Sequence, residues 1–589
     1  MNQLYRYAFA IVAVVFLVTG CGKDGGRNQP TGHELVSPLV ARCEPGIRGG
    51  RLTLAAVGMP VTFNPFHASG ASDAVTRLLF GTLLELDANG QEVLPGLAQS
   101  WSVEPDQRTW TLKLRPGLHW SDGEPLTADD VVFTWNEVIS DPLMNPTTYS
   151  VFLAGGKPFS VTNLDDATVR LTTAEPYAPL LEYICGVPIL PRHTLGPAVE
   201  TRRFLTAYRI SSRPEQVVGC GPFRVKEVKR DGSVLLERNP EYWMVDKTGQ
   251  RLPYFDEVMV IPCGPGEPQQ LFLAGRCDAY EQGRPEEFGT FEHASANGRF
   301  RNEDLGDGVN IEFIFFNQNT GLNAAGMPVV SLQKQRWFRD KTFRQAISCA
   351  IDREQIVREA YGGRAQRAYS FVSSENKKWI NPDVPRFAYD PTRARLLLAQ
   401  IGLEDRDNDG ILEDTNGAGL EFTLFTNTLN PPRAREAALI VEDLHKAGLK
   451  VHLQIVEFDE LLQRVNENFN YDCILMGLGG GVSDPASHLN VLKSDEPMHQ
   501  WFPNQRVPST QWEARVDELM DAQMRTLDFN KRKQMFDEVQ AILAEQQPMI
   551  STVSPFYFAA VRTDIGNVRP SVSNPYHITW NVQELYFKK

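Results

Sequence analysis

Two clusters of residues have types and spacing that could do chemistry. Asp405, Asp407 and Asp409 alternate ahead of Gly410, with Glu413 just beyond. Carboxylates at positions one, three and five with glycine at six open a calcium-binding loop. Position twelve of that loop is Asn416, where a bidentate glutamate belongs. A calcium ion held here would be structural; the other reading is a solvated acidic turn between a helix and a strand. The second cluster is MGLGGGVSDP at 476–485. Gly479, Gly480 and Gly481 would let a ligand approach the backbone and meet amide donors, or would simply allow a tight turn. Asp484-Pro485 closes the stretch. Trp501 follows in an irregular segment, where an aromatic ring can stack on a ligand or pin a loop.

Catalytic signatures are missing. There is no H-E-x-x-H, G-x-S-x-G or G-x-x-x-x-G-K-[ST], and Val482 breaks G-x-G-x-x-G. His488 and His499 both follow the glycine stretch. A zinc site would need them to converge, and the expectation is surface histidines. The chain reads as a binding protein, not an enzyme, with no cofactor beyond the calcium candidate.

The ends add a different chemistry. Arg6 precedes an apolar run from Ala8 to Val18, which is too short to span a bilayer of about 30 Å. It ends in Thr19-Gly20-Cys21, the layout of a signal peptide over 1–20. The ending resembles a bacterial lipobox, which would make Cys21 the site of lipid attachment. Residues 21–50 are polar and glycine-rich at first and read as a flexible tether. The formal net charge of −14 argues against nucleic acid as a partner. Seven cysteines remain besides Cys21, an odd number with no C-x-x-C spacing. Most are expected to be small buried hydrophobes.

The elements that would position these residues follow from periodicity. Arg51–Val57 alternates as a strand, and residues 72–86 carry a helical pattern. Residues 110–114 form another strand, and Thr127 caps a helix with Asp129 and Asp130 in its first turn. Farther on come a strand at Glu421–Asn427, a helix at 434–447, a strand at 451–455, a short helix at 459–465 and a strand at 472–478. That β-α-β-α-β order predicts parallel strands. It puts the glycine stretch at the carboxyl end of a strand, where ligands gather in open α/β sheets. Thr510 to Glu513 is a capping box, and Phe529-Asn530 separates its helix from a second one stopped by Pro548.

Several stretches together resemble the solute-binding proteins of family 5, the peptide- and nickel-type receptors of ABC importers. They are LAQSWSV at 97–103, TWTLKLRPGLHWSDGEPLTADDVVFTW at 109–135, VGCGPF at 218–223 and NPEYW at 239–243. FN at 316–317, FRQA at 343–346, AIDR at 350–353 and YDP at 389–391 continue the series in family order. The resemblance implies an α/β, periplasmic-binding-protein-like fold: two lobes around a hinge cleft, with a subdomain inserted in the first. Its boundaries would be 51–311 for lobe I, with the insert near 84–206. Lobe II would be 312–552, and 553–589 would return to lobe I. It implies an exported, lipid-anchored monomer that captures an oligopeptide or similar extended solute. An ABC permease and its ATPase subunits would be its partners. The alternative is a lipid-anchored binding or sensor protein of the same fold, without a dedicated permease, for a sugar, opine or metal chelate. Ser69, Ala71, Phe313, Asn317, Gly479, Gly480, Gly481, Asp484 and Trp501 are the cleft candidates that follow. Peptide-binding members carry an aspartate for the peptide amino terminus where this chain has Gly481.

Overall fold

The computed structural model describes residues 32–145, 149–323, 325–479 and 484–589. The chain builds two α/β lobes. In the first, Arg51–Val57 pairs in parallel with Glu257–Cys263. Val234–Arg238 and Phe223–Val228 continue that sheet in antiparallel sense. RLTLAAV turns Leu52, Leu54 and Ala56 inward, as its period of two requires. A second sheet joins Ala279–Gly283, Val553–Arg562 and Phe300–Asp307.

Residues 98–172 supply a separate four-stranded antiparallel sheet, in the order Ala98–Val103, Thr109–Leu114, Thr168–Thr172 and Ser160–Asp165. The helix Ala128–Phe133 packs beside it. Thr127 accepts the Asp129 amide, and Asp130 reaches back to the Thr127 amide, closing a capping box.

The other lobe centres on a five-stranded sheet ordered Lys450–Val456, Glu421–Asn427, Cys473–Leu478, Ile311–Phe316 and Met549–Ser551. The first three strands are parallel, as the alternating pattern predicts. The last two are antiparallel additions. They are also the connections between lobes. Phe300–Asp307 lies in a first-lobe sheet and Ile311–Phe316 in this one, so the chain crosses at 308–310. It crosses back at Thr552, between Met549–Ser551 and Val553–Arg562.

Several expectations need correcting. The helix expected over 72–86 stops early. Ala71–Thr76 is helical, and Leu84–Leu86 is a strand paired with Val93–Pro95. The carbonyls of Thr82 and Leu83 accept the amides of Leu97 and Ala98, and this long-range pairing overrides helical periodicity. The 434–447 helix starts at Pro431 because Asn430 caps it and proline suits the first turn. Asp528, not Phe529-Asn530, opens the last helix. Residues 39–41, expected within the tether, are packed on the body. Leu39–Val40 pairs with Met244–Val245, and Ala41 is buried in the adjacent core. All seven cysteines of the described residues are free. Cys220, Cys277, Cys349 and Cys473 are buried, the role expected of them.

Candidate functional site

The strand Cys473–Leu478 runs into the glycine stretch, and its last residues meet the crossing strand. Gly477 sits opposite Glu312 in the ladder. A Cβ on Gly477 would lie 2.7 Å from Arg433 Nη2 and 3.1 Å from Glu312 Oε1. One on Gly479 would lie 3.1 Å from Asn310 Oδ1. Here the glycines make room for specific polar side chains.

Those side chains form two neighbouring hydrogen-bonded sets. Arg433 donates from Nε to Glu312 Oε2 at 2.7 Å and from Nη2 to Oε1 at 2.9 Å. Its Nη1 donates to Asn427 Oδ1 at 2.7 Å. Asn310 donates to the Tyr557 hydroxyl at 2.7 Å. Burial pushes the Tyr557 phenol up, so it stays protonated. Five segments of chain thus converge where the lobes join. The floor they make carries two carboxamides and one phenol, and its Arg433 is matched by the Glu312 carboxylate.

A second network lies behind it. The Glu312 carbonyl accepts the Thr552 amide at 2.8 Å, tying together the two crossing points. The Thr552 hydroxyl is 2.5 Å from Glu436 Oε1, and Tyr361 donates to Glu436 Oε2 at 2.7 Å. Burial, reinforced by the Glu312 charge, pushes the Glu436 carboxyl up to about 8.

The predicted residues scatter around this floor. Gly479 is exposed beside Asn310. Gly480, Gly481 and Cys21 lie outside the described residues. Ser69 is exposed, while Ala71 is buried at the start of its helix. Phe313 is in the core between strand and helices. Asn317 is buried and donates to the carbonyls of Phe469 and Tyr471. Asp484 is buried too, held bidentately by Arg532 and capping the turn at Pro485–His488. Trp501 is fully buried, 4.1 Å from the His499 ring, and its carbonyl accepts the Gln318 amide. It pins a loop in this arrangement.

The histidines are not on the surface. His488 and His499 are both buried, and burial lowers the His488 pKa to about 4. Asp405, Asp407, Asp409 and Glu413 bring carboxylate oxygens within 4.8 Å of one another. Hard oxygen donors suit calcium. Each already accepts a backbone amide within its own turn: Asn408 and Gly410 on Asp405, Asp409 on Asp407, Ile411 on Asp409 and Arg406 on Glu413.

Asn310, Glu312, Asn427, Arg433 and Tyr557 are the functional candidates that sequence reasoning missed. One signal was available. Glu312 is the only charged residue in IEFIFF, a strand buried along its whole length, and a buried carboxylate demands a partner.

The lobes also touch away from the hinge. Lys378 donates to Glu182 at 2.8 Å and to the Gln91 carbonyl at 3.1 Å. Gln91 donates to the Glu375 carbonyl at 2.6 Å, and the Ala178 amide to Met524 at 2.8 Å. A separate cavity of about 440 Å³ opens within the first lobe, lined by Arg77, Glu85 and Trp580 among others. Burial pushes Glu85 up to about 7.

Comparison with known proteins matches this geometry to a family. The chain is 28% identical to a probable ABC transporter-binding protein of Deinococcus radiodurans over 509 residues, covering 83% of this chain and 84% of the relative. The solved oligopeptide-binding protein AppA of Bacillus subtilis, in complex with a nonapeptide, superposes with a TM-score of 0.66 at 24% identity. That alignment covers 92% of this chain and 100% of AppA. The periplasmic binding protein MelB of Agrobacterium fabrum, in complex with stachyose, gives 0.69 at 22%, covering 92% and 86%. These two show the shared two-lobed fold. The family model for bacterial extracellular solute-binding proteins, family 5, matches residues 92–500. The chain therefore belongs to the family 5 bacterial extracellular solute-binding proteins, which bind and hand over solutes without enzymatic chemistry.

Proposed function

We propose that this chain is the extracytoplasmic solute-binding lipoprotein of an ABC importer. It captures an oligopeptide or similarly extended solute between its lobes and delivers it to a permease driven by ATPase subunits. The observation that carries this reading is the floor at the hinge. There the glycine strand end meets Asn310, Glu312, Arg433 and Tyr557. Amides and hydroxyls around a balanced ion pair suit the repeating donors and acceptors of an extended chain. Binding across the hinge favours the closed arrangement by its differential affinity for it. The lobes are taken as 51–311, 312–552 and 553–589, a division supported by the change of sheet between Asp307 and Ile311 and between Ser551 and Val553. Cys21 carries the lipid, and a Cys21→Ser variant is expected to leave the membrane fraction.

A second reading has its own support. Asp484 is consumed by Arg532, and position 481 holds glycine. A free ammonium there would find no carboxylate on residue 481 itself, and an unpaired buried one costs on the order of several kcal/mol. A neutral, hydroxyl-rich ligand such as an oligosaccharide avoids that cost.

The deciding experiment is mass spectrometry of what the protein carries. The form lacking residues 1–21 is purified, denatured and its released small molecules are analysed. A ladder of peptides supports the first reading. A single saccharide supports the second, and titration with free-amino peptides that shows no binding would count against the first.

A further inference from the structure

We propose that His33, His119 and Glu241 form a binding site for a divalent transition-metal ion of the zinc class, clasping the N-terminal segment to the body of the protein. The three residues come from separate stretches of chain. One ligand atom from each lies within 4.8 Å of the others. A tetrahedral ion with bonds of about 2.1 Å sets its ligands roughly 3.4 Å apart, a change that rotation of the exposed His33 side chain can supply.

The local hydrogen bonds leave the right atoms free. His119 Nδ1 is 3.1 Å from the Gly117 carbonyl oxygen. A carbonyl only accepts, so Nδ1 carries the hydrogen and the neutral ring keeps its lone pair on Nε2. A bond from the far ring nitrogen to a backbone carbonyl orients metal-ligating histidines. The His33 ring stacks on His119 at 3.9 Å between centroids and 7° between planes.

Glu241 completes the set. Its Oε2 accepts both the backbone amide and ring Nδ1 of His33, at 2.9 and 3.1 Å. The nearest cation is Arg251, 3.9 Å away, and its guanidinium is engaged by the carbonyls of His33 and Pro240. The near partner of the carboxylate is therefore His33 itself, 3.1 Å away, and not the arginine. The His33 side chain is 53% exposed, which leaves an ion and a bound water a path in. Two imidazoles and one carboxylate suit zinc, nickel or copper over calcium or magnesium.

The placement gives the site a consequence. His33 precedes the Leu39–Val40 pairing, His119 belongs to the turn after Thr109–Leu114, and Glu241 lies between two first-lobe strands. Metal binding would hold residues 33–38 against both neighbours and move the point where the chain leaves the body toward its N-terminus.

The test uses the chain from residue 22 onward, without an affinity tag and stripped with EDTA. Titration with zinc chloride by calorimetry is expected to show one ion per chain. His33→Ala, His119→Ala and Glu241→Gln should each weaken it by on the order of 100-fold. Zinc should also slow hydrogen exchange over residues 33–38 in the parent and not in these variants. The proposal is overturned if the parent shows no stoichiometric zinc binding. It is equally overturned if a His33→Ala/His119→Ala double variant, matching the parent in melting temperature under EDTA, binds zinc as the parent does.

Discussion

Arg532 grips Asp484 with two parallel bonds, Nη1 to Oδ2 and Nη2 to Oδ1, both 2.7 Å long and both side chains buried. Asp484 Oδ1 also accepts the Ala486 amide. The aspartate after the glycine stretch is thus a structural anchor that fixes where the stretch ends. Asp484→Asn leaves a buried guanidinium without its counter-charge. Loss of one partner of such a pair is expected to cost about 3–5 kcal/mol. Urea unfolding should show that loss, while the folded variant keeps most of its ligand affinity. A variant of parental stability that no longer binds would instead make Asp484 a ligand contact.

Gly477 tests the cleft floor directly. Alanine there must displace Arg433 from Glu312, since the new methyl would sit 2.7 Å from Nη2. Overpacking of this kind costs about 1–3 kcal/mol. The co-purified ligand should bind roughly tenfold more weakly, equivalent to about 1.4 kcal/mol. Gly289→Ala is the control, because nothing lies within 4 Å of its added Cβ. Equal affinity in the two variants would remove the Glu312–Arg433 pair from the site.

What could be read in advance depended on how local the cause was. RLTLAAV and EFTLFTN alternate or run apolar within seven residues, and both are strands where expected. Thr127, Asp390 and Thr510 cap helices through side chains only a few residues from their partners. Residues 72–86 failed because the competing partners, Leu97 and Ala98, lie beyond the window that periodicity samples. Partners of the site residues were hidden for the same reason. Asp484 looked available because Arg532 is 48 residues away on another helix. Arg433 carried no local signal, since its role comes from Glu312 on a strand 121 residues earlier.

Lys378 is a test of closure remote from the floor. Its ammonium joins Glu182 and the Gln91 carbonyl across the lobes, with 28% of the lysine side chain exposed. Exposed pairs of this kind contribute up to about 1 kcal/mol. Lys378→Met keeps most of the alkyl chain and removes the ammonium, which lies 5.6 Å from the Trp379 ring centroid. Affinity is expected to fall by at most about fivefold, with the open form more populated by small-angle scattering. A loss beyond a hundredfold would mean that Lys378 touches the ligand.

Glu436 gives the hinge a pH dependence whose sign can be worked out. Burial and the Glu312 charge raise its folded pKa from 4.5 to about 8. Between those values the native protein holds a proton that the unfolded chain has released. Stability from this group is therefore fully present below 4.5 and is lost as pH rises toward 8. Glu513 and His488 act in the opposite sense and lower down. Hydrogen bonds, outweighing burial, take Glu513 to about 2, and burial takes His488 to about 4. Their contributions are lost as pH falls, below about 4.5 for Glu513 and below about 6.5 for His488. Glu436→Gln keeps the shape: its carbonyl accepts from one hydroxyl and its amide donates to the other. Subtracting its unfolding free energy from that of the parent cancels the other groups. The difference should decline from pH 5 to pH 8 and flatten above. A difference that does not change with pH would show that Glu436 is ionised in the native hinge, with Arg433 compensating two carboxylates instead of one.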